Sequence, residues 1–230
     1  SIYYRRKELQ MAVWNKTVYI GGQGEITEKK SRFIATICPV HSEEEALAFI
    51  EKTKKKYWDA RHNCYAYILG ETQSCMRSSD DGEPQGTAGH PMLDVLCGQQ
   101  LYDVAVVVTR YFGGVLLGTG GLVRAYSQAV QEGLLHCEII EKKKGIPVEI
   151  VTDYTGLGKL QYMTASRQII VLDTLYEDQV KMKILLEPAD LASFHSEVMD
   201  ATSGNAIWQE QEEIYFARTG DTILTGEDLL

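Results

Sequence analysis

The sequence predicts an α+β protein of two domains, on three observations. Its 230 residues suit one large domain or two small ones, since domains usually contain about 100 to 200 residues. Apolar residues recur with a period of two in some segments and with the helical period of 3.6 in others. A polar break at Lys142-Lys143-Lys144-Gly145 separates two different orders of these segments. We predict an arm over residues 1–15, an N-terminal α/β domain over 16–140, a C-terminal ferredoxin-like domain over 145–217 and a tail over 218–230.

The N-terminal domain begins with a strand, a helix and a second strand. Residues 31–38 place apolar side chains on both faces, which indicates a strand that is covered on both sides. Ser42 followed by Glu45 forms a capping box, which predicts a helix over 43–56. Residues 61–69 return to a period of two and predict the second strand.

A long segment without periodicity, residues 70–90, follows the second strand. We interpret it as an unstructured connection, and a connection of this length in a compact domain is usually functional or disordered. Pro91 fits the first position of a short helix that ends near Leu96. The mostly β-branched residues 103–109 predict a buried central strand. A glycine-rich turn over 113–121 then leads into a helix whose packed face consists of Leu122, Ala125, Tyr126, Ala129, Val130, Gly133 and Leu134.

The C-terminal domain has a different order of elements. The predicted elements are a strand over 146–151, a helix over 155–165, a strand over 168–175, a turn over 176–178, a strand over 180–186, a helix over 189–199 and a strand over 206–216. This βαββαβ order is that of ferredoxin-like domains. Residues 219–230 are mostly polar, and we expect them to form a loose tail.

Charge is distributed unevenly along the chain, which has a formal net charge of −9. Residues 1–140 contain 15 Lys and Arg against 16 Asp and Glu, whereas residues 141–230 contain 8 against 16. Only the first part is therefore suited to an anionic partner, and the acidic second part is suited to docking a basic protein. The overall acidity weighs against tight nonspecific binding of nucleic acid, which depends on Lys and Arg neutralising phosphates.

Cysteine usage and hydropathy predict a soluble protein of the reducing cytoplasm. The five cysteines are odd in number and lie at least ten residues apart, so neither a disulfide framework nor a CxxC zinc site is indicated. The longest purely apolar run, Val104 to Val108, is far shorter than the roughly 18 residues that would span a membrane. We therefore expect no membrane association.

Glycine is concentrated in one region, because residues 82–121 contain 9 of the 20 glycines. We expect the turn over 113–121 to place Thr119 at the cap of the next helix, with Arg110 before it and Arg124 after it. Free backbone amides at a helix start together with two guanidinium groups favour an anion such as phosphate. The alternative is that the glycines only permit a tight turn and close packing. The predicted anion-binding or nucleic-acid-binding residues are Arg61, Arg77, Arg110, Gly113, Gly114, Gly118, Thr119, Gly120, Gly121 and Arg124.

The segment before Pro91 contains three carboxylates, Asp80, Asp81 and Glu83. They are candidates for binding Mg²⁺ or for general acid and base catalysis, with His62 as a further proton carrier. The favoured interpretation is an acidic turn in which Asp80 and Asp81 bind backbone N–H groups, and a hydrogen-bonded structural role for His62. Apart from Mg²⁺ on these carboxylates, no cofactor and no metal site is predicted.

A basic run at the end of the first helix contains Lys52, Lys54, Lys55 and Lys56, with Tyr57 and Trp58 beside it. Cations mixed with flat rings are used by proteins that bind single-stranded nucleic acid. The favoured alternative is a solvated helix end whose aromatic side chains fold back on the core.

Two long motifs of this chain are Ser78-Ser79-Asp80-Asp81-Gly82-Glu83-Pro84 with Gly86-Thr87-Ala88-Gly89, and Arg110-Tyr111-Phe112-Gly113-Gly114 with Leu117-Gly118-Thr119-Gly120-Gly121-Leu122-Val123-Arg124-Ala125-Tyr126. Together they closely resemble the motifs of the YigZ/IMPACT family. The resemblance implies a ribosomal-protein-like N-terminal fold shared with domain four of elongation factor G, and a C-terminal domain like domain five of that factor. It also implies translation regulation in the eukaryotic relatives and a nucleic-acid or ribosome link in the bacterial ones.

Three functions fit these residues. The leading hypothesis is a cytoplasmic protein that associates with RNA or the ribosome and regulates translation. The second is an enzyme for a small phosphorylated or anionic substrate, with Asp80, Asp81 or Glu83 as base or Mg²⁺ ligand and His62 as acid. The third is an adaptor that binds a protein partner through the acidic C-terminal domain.

Overall fold

A computed structural model of the protein describes residues 13–229. The chain divides into two compact units between Glu141 and Lys142. Residues 1–12 of the predicted arm lie outside the described residues. Within residues 13–229, no helix is both long and apolar enough to cross a bilayer.

The N-terminal unit contains two sheets and three helices among its described residues. Its elements are β1 (Lys16–Ile20), β2 (Gly22–Glu28), β3 (Ser31–Pro39), α1 (Glu43–Lys56), β4 (His62–Leu69), β5 (Cys75–Ser79), α2 (Gly89–Gly98), β6 (Leu101–Tyr102), β7 (Val104–Tyr111), α3 (Gly118–Leu135) and β8 (Glu138–Glu141). The larger sheet has the order β2-β3-β7-β4-β5, and the smaller one has the order β6-β1-β8.

Strand β7 lies at the centre of the larger sheet because its β-branched residues are buried on both faces. Phe33, Cys64 and Val106 face α2 and α3 in the main core. Tyr67 and Val107 face α1 in a second cluster of buried residues. Residues of even number in β4 and β7 therefore share the face covered by α3. The even-numbered His62 and Arg110 accordingly lie on the same face of the sheet.

Helix α1 forms over the predicted residues, and its cap accounts for where it begins. The Ser42 hydroxyl accepts a hydrogen bond from the Glu45 amide at 3.1 Å, while the Glu45 carboxylate accepts one from the His41 amide at 2.8 Å. Acidic residues occupy the first turn and lysines the last turn, as the helix dipole favours.

Several expectations for the N-terminal unit were wrong. Helix α2 begins at Gly89, so Pro91 is not its first residue, and the strands β1 and β2 before Ser31 were not predicted. Residues 75–79, inside the predicted unstructured connection, form the edge strand β5, which pairs with β4. Its sequence, Cys-Met-Arg-Ser-Ser, has little apolar alternation because an edge strand buries few side chains. Thr119 does not cap α3, since the helix already begins at Gly118 and Leu117 holds the cap position.

The C-terminal unit is built on one antiparallel sheet. Its elements are β9 (Lys143–Thr152), α4 (Tyr154–Ser166), β10 (Ile170–Tyr176), β11 (Val180–Leu186), a 3-10 turn (Pro188–Asp190), α5 (Leu191–Ala201), β12 (Ile207–Glu210), β13 (Ile214–Thr219), β14 (Thr222–Thr225) and a second 3-10 turn (Gly226–Leu229). The neighbours β10-β11-β9-β12 are all antiparallel, which is the predicted ferredoxin-like arrangement.

The end of this unit differs from the prediction. The expected strand over 206–216 is two strands, because the polar residues 211–213 interrupt it and the ten-residue strand β9 pairs with both β12 and β13. The expected loose tail contains β14, which pairs with β13 and buries Leu224. The four residues of this strand, Thr-Ile-Leu-Thr, hold only one apolar pair, Ile223 and Leu224, which is too short to give a periodic signal.

Candidate functional site

A cleft of about 420 Å³ opens in the N-terminal unit where β4 begins and β7 ends. Three segments meet there: the strand ends, the loop over 80–89 and the glycine-rich turn over 112–119. The cleft is lined by Arg61, His62, Glu83, Pro84, Arg110, Phe112, Leu116, Leu117, Gly118, Thr119 and Leu122. The structure thus brings the two sequence motifs together.

Asp80 holds the loop over 80–89 in shape. Its carboxylate accepts hydrogen bonds from the amides of Gly86, Ala88 and Gly89 at 2.8, 3.1 and 2.9 Å. Its carbonyl accepts a contact at 3.0 Å from the Cys64 thiol. Burial raises the pKa of Asp80, but the three amide donors outweigh it and keep this pKa below its ordinary value. The interpretation of Asp80 as a turn-capping residue is confirmed.

Asp81 fixes the start of β4 and orients His62. Its Oδ2 accepts a hydrogen bond from the Asn63 amide at 2.7 Å, and its carbonyl oxygen lies 2.8 Å from His62 Nδ1. A carbonyl oxygen only accepts hydrogen bonds, so Nδ1 carries the proton in this contact. The Nε2 atom of His62 lies 3.9 Å from Glu83 Oε1. His62 is therefore anchored by one nitrogen and presents the other toward the cleft.

Glu83 and Arg110 form a buried ion pair at the floor of the cleft. Their Oε1 and Nη1 atoms are 2.7 Å apart, and the same oxygen accepts a hydrogen bond of 2.7 Å from the Tyr126 hydroxyl. Burial, together with the neighbouring Cys64 and Glu83, raises the pKa of Tyr126 well above its ordinary value. Burial likewise raises the pKa of the Cys64 thiol. Tyr126 thus remains a neutral donor to the Glu83 carboxylate.

The prediction that Arg110 binds phosphate needs correction. Arg110 is 6% exposed, its charge is balanced by Glu83, and its guanidinium lies 5.5 and 5.7 Å from the ring centres of Phe33 and Phe112. Its Nη2 lies 3.5 Å from the Ser31 hydroxyl, and its buried Nε has no hydrogen-bond partner among residues 13–229. The paired and enclosed guanidinium is part of the cleft floor.

Arg77 is not brought to the cleft. It lies on the edge strand β5 opposite Tyr67, and Tyr67 belongs to the cluster that packs against α1. Cross-strand partners share a face of the sheet, so Arg77 lies on the opposite face from His62 and Arg110. The sequence could not reveal this separation, because β5 was not predicted as a strand.

The glycines of the turn over 113–121 have different roles. A side chain at Gly113 would overlap the backbone of Lys30, since its Cβ would lie 2.1 Å from the Lys30 carbonyl atoms. Gly114 and Gly118 have φ angles of 85° and 73°, in the left-handed region that favours glycine. Close packing and tight turning thus account for Gly113, Gly114 and Gly118, as the alternative interpretation holds.

The beginning of α3 is open. No side chain in the described part of the chain caps its first amides. The Arg124 guanidinium lies over this turn, because a Cβ atom at Gly120 would be 3.6 Å from its Nη1. Arg124, Thr119 and Gly120 are all exposed. Four orphan amides at a helix start and a nearby guanidinium present positive potential to solvent.

Exposed aromatic side chains stand around this end of the unit. Phe112 on the turn is 48% exposed, and Trp58 after α1 is 81% exposed. The expectation that Trp58 folds back on the core was wrong. The loop that contains Trp58 is tied to β7 by a hydrogen bond of 2.8 Å from the Tyr111 hydroxyl to Asp59. Trp58 is therefore held out on a fixed loop.

Sequence reasoning missed the roles of Tyr126 and Ser31. Tyr126 was assigned only to the packed face of a helix, and Ser31 only to a strand. A buried tyrosine hydroxyl requires a hydrogen-bond partner, and that rule pointed to a polar group beneath α3. For Ser31, which also accepts a hydrogen bond of 3.2 Å from the Gly113 amide, the sequence holds no comparable signal.

Metal binding has no support from side-chain clustering in residues 13–229. Groups of three or more His, Cys, Asp or Glu side chains that could surround an ion do not occur there. Asp80 is engaged by amides and Glu83 by Arg110 and Tyr126, so the three carboxylates do not converge.

Comparison with known proteins defines the class of this two-domain α+β protein. Residues 29–134 match the Impact N-terminal domain, and residues 150–205 match a domain of unknown function, DUF1949. IMPACT family member YvyE of Bacillus subtilis is 41% identical over 202 residues, which cover 88% of this chain and 93% of the relative. IMPACT family member YigZ of Escherichia coli is 35% identical, with coverages of 77% and 88%. The chain belongs to the IMPACT family, as its motifs predicted.

Two further similarities extend the comparison. A solved structure described as the crystal structure of an hypothetical protein superposes with a TM-score of 0.54 at 32% identity, covering 88% of this chain and 98% of that one. The Protein IMPACT homolog of Dictyostelium discoideum is 41% identical over 108 residues, which are 44% of this chain and 30% of that protein.

Proposed function

We propose that this protein binds RNA, free or within the ribosome, through the cleft end of its N-terminal unit, and that it regulates translation by this binding. The observation that carries the proposal is the open start of α3, where uncapped amides and the Arg124 guanidinium lie beside the exposed ring of Phe112. The family resemblance, which links relatives of this chain to translation, supports the same proposal.

The phosphate contacts are assigned to exposed groups around the α3 start. Helix-start amides bind anions because their N–H groups have no partner within the helix. Arg124 lies over these amides, and the exposed Arg61 lines the same cleft. Arg61 and Arg124 replace the buried Arg110 as the guanidinium groups that neutralise phosphates.

The base contacts are assigned to the exposed aromatic rings. Phe112 and Trp58 offer flat faces to solvent, and stacking on such rings stabilises single-stranded nucleic acid without a requirement for sequence. Lysines 54, 55 and 56 at the end of α1 precede Trp58 but belong to the helix on the other face of the sheet, and Lys54 Nζ lies 3.6 Å from the Asp81 carboxylate. Phe112, which lines the cleft with Gly118 and Thr119 of the α3 start, therefore supplies the ring beside the positive potential, and these are the two features that single-strand binders use.

A salt titration tests this proposal. The affinity for purified ribosomes and for a single-stranded RNA is measured from low to physiological ionic strength. We expect affinity to fall as salt rises, and Arg124→Ala to reduce the slope of log affinity against log salt by about 0.7 to 1. Arg77→Ala is the charge-matched control, because Arg77 is exposed but lies on the other face of the sheet.

Two outcomes contradict the proposal. One is the lack of any salt-sensitive binding to ribosomes or RNA at low ionic strength. The other is an equal loss in Arg77→Ala and Arg124→Ala, because binding would then depend on net charge and not on the α3 start.

A further inference from the structure

We infer that the cleft is a pocket for a single unstacked guanine base of the bound RNA. This inference rests on the proposed function and names the part of the ligand that the cleft reads. Two hydrogen-bond acceptors on the cleft floor, Glu83 and His62, carry the inference.

Glu83 is a carboxylate with one oxygen still available. It is 8% exposed and lines the cleft. Its Oε1 accepts hydrogen bonds from Arg110 and Tyr126, whereas Oε2 accepts none from residues 13–229. The Oε2 atom is not among the fully enclosed side-chain atoms without a partner, so it opens to the cleft, where a ligand donor can reach it.

His62 supplies the second acceptor. Its Nδ1 is protonated in the contact with the Asp81 carbonyl, so in the neutral ring Nε2 has a free lone pair. The Nε2 atom is 3.9 Å from Glu83 Oε1, the oxygen that binds Arg110 and Tyr126, and both side chains line the cleft. The free acceptors are thus His62 Nε2 and Glu83 Oε2, which have no proton to share with each other and bind a ligand edge that brings its own donors.

Guanine is the base whose edge fits two adjacent acceptors. Its Watson–Crick edge carries an N–H at N1 beside the amino group at N2, so two neighbouring nitrogens donate. Adenine and cytosine donate there from one amino group, and uracil from one ring N–H. Proteins read unstacked RNA bases by hydrogen bonds to this edge while an aromatic ring stacks on the base.

The walls of the cleft suit a flat ring. Pro84, Leu116 and Leu122 line it together with Phe112, whose half-exposed ring lies over the Arg110 guanidinium. Its volume of about 420 Å³ falls in the range of small-molecule sites, about 300 to 1,000 Å³. A base stacked on Phe112 would have its phosphates near Arg61 and Thr119 at the rim.

Single-nucleotide substitution in a short RNA tests the inference. Labelled ten-nucleotide RNAs of cytidine carry one central guanosine, inosine, adenosine or uridine, and affinities are measured by fluorescence anisotropy at low salt. We expect guanosine to bind about tenfold more tightly than uridine, since a well-placed pair of hydrogen bonds discriminates bases by this order. Inosine, which lacks the amino group at position 2, is expected to fall between them.

Variants locate the preference. Glu83→Gln and His62→Ala each remove one acceptor, and each is expected to bring the guanosine-to-uridine ratio close to one while binding to the all-cytidine RNA persists. A cooperative thermal unfolding transition shows that each variant is folded. If Glu83→Gln does not fold, His62→Ala still tests the inference, because it leaves the buried ion pair intact. Val115→Ala, on the same turn but outside the cleft lining, is the matched control and keeps the full ratio.

The outcomes separate this inference from the proposed function. Equal affinity for guanosine and uridine RNAs, with salt-sensitive binding retained, overturns the guanine pocket and leaves RNA binding in place. A guanosine preference that survives both Glu83→Gln and His62→Ala also overturns it. The loss of binding to every RNA overturns the proposed function, and the pocket with it.

Discussion

The loop over 80–89 and the turn over 112–121 are both rich in glycine and border the same cleft, yet they use their polar groups in opposite ways. In the loop, Asp80 and Asp81 bind four backbone amides of the protein itself. In the turn, the first amides of α3 have no side-chain cap within residues 13–229, and Phe112 is half-exposed. The two aspartates of the loop therefore stabilise the fold, whereas the α3 start and the cleft beside it, which Glu83 also lines, are available to a ligand.

Removing the Glu83 carboxylate tests the loop side of this comparison with the largest expected effect. Glu83→Ala leaves Arg110 buried without a counter-charge, and we expect the free energy of unfolding to fall by about 3 to 5 kcal/mol. Urea unfolding measures the change. The double variant Glu83→Leu with Arg110→Met removes both charges and is expected to lose less. A larger loss in the double variant would show that the ion pair is not what stabilises the floor.

Removing the Asp80 carboxylate tests the same loop, with a smaller expected loss of stability. Asp80→Ala leaves three amide donors without their acceptor, and we expect a loss of about 2 kcal/mol in the free energy of unfolding. Asp81→Ala removes one such bond and is the comparison, with a smaller loss. Equal losses in the two variants would contradict the central position of Asp80 in the loop.

The same carboxylate gives the stability a pH dependence with a defined sign. The pKa of Asp80 in the folded protein lies below its ordinary value of 3.8, which applies to the unfolded chain. Its contribution is therefore fully present above about pH 4 and is lost as the pH falls through the folded-state pKa. The free energy of unfolding, measured between pH 5 and pH 2, should therefore fall less steeply in Asp80→Asn than in the unaltered protein. Parallel declines would contradict this assignment.

The smallest effect on stability is expected in the turn. Phe112→Ala removes a half-exposed ring, so we expect the free energy of unfolding to change by at most about 1 kcal/mol. Affinity for single-stranded RNA should nevertheless fall by about fivefold or more, because stacking on one aromatic side chain contributes about 1 to 3 kcal/mol. A large loss of stability with unchanged affinity would reverse the roles assigned to loop and turn.

The sequence predicted what depends on local pattern and missed what depends on distant partners. The helix over 43–56 was predicted because its cap and its terminal charges lie within the helix and its flanks. The strands β5 and β14 were missed because they pair at sheet edges, where few side chains are buried and periodicity is weak.

The site shows the same division. The family motifs identified the two segments that form the cleft, and the amide-binding role of Asp80 followed from local turn chemistry. The pairing of Arg110 with Glu83 joins residues 27 positions apart, and Tyr126 reaches the same oxygen from 43 positions away. Spacing along the chain holds no information on such contacts. Without the pairing to Glu83, Arg110 was predicted from the sequence to bind phosphate.

Backbone amide shifts provide the most direct measurement of the central claim, that the α3 start and its cleft receive RNA. Isotope-labelled protein is titrated with a short single-stranded RNA and followed by nuclear magnetic resonance. The account predicts that the resonances of the Gly118, Thr119 and Gly120 amides and of the His62 ring shift together until the RNA saturates the protein. The amide resonances of residues 75–79 in the edge strand are expected not to shift. Shifts confined to the edge strand or to the C-terminal unit, with the α3 start unchanged, would contradict it.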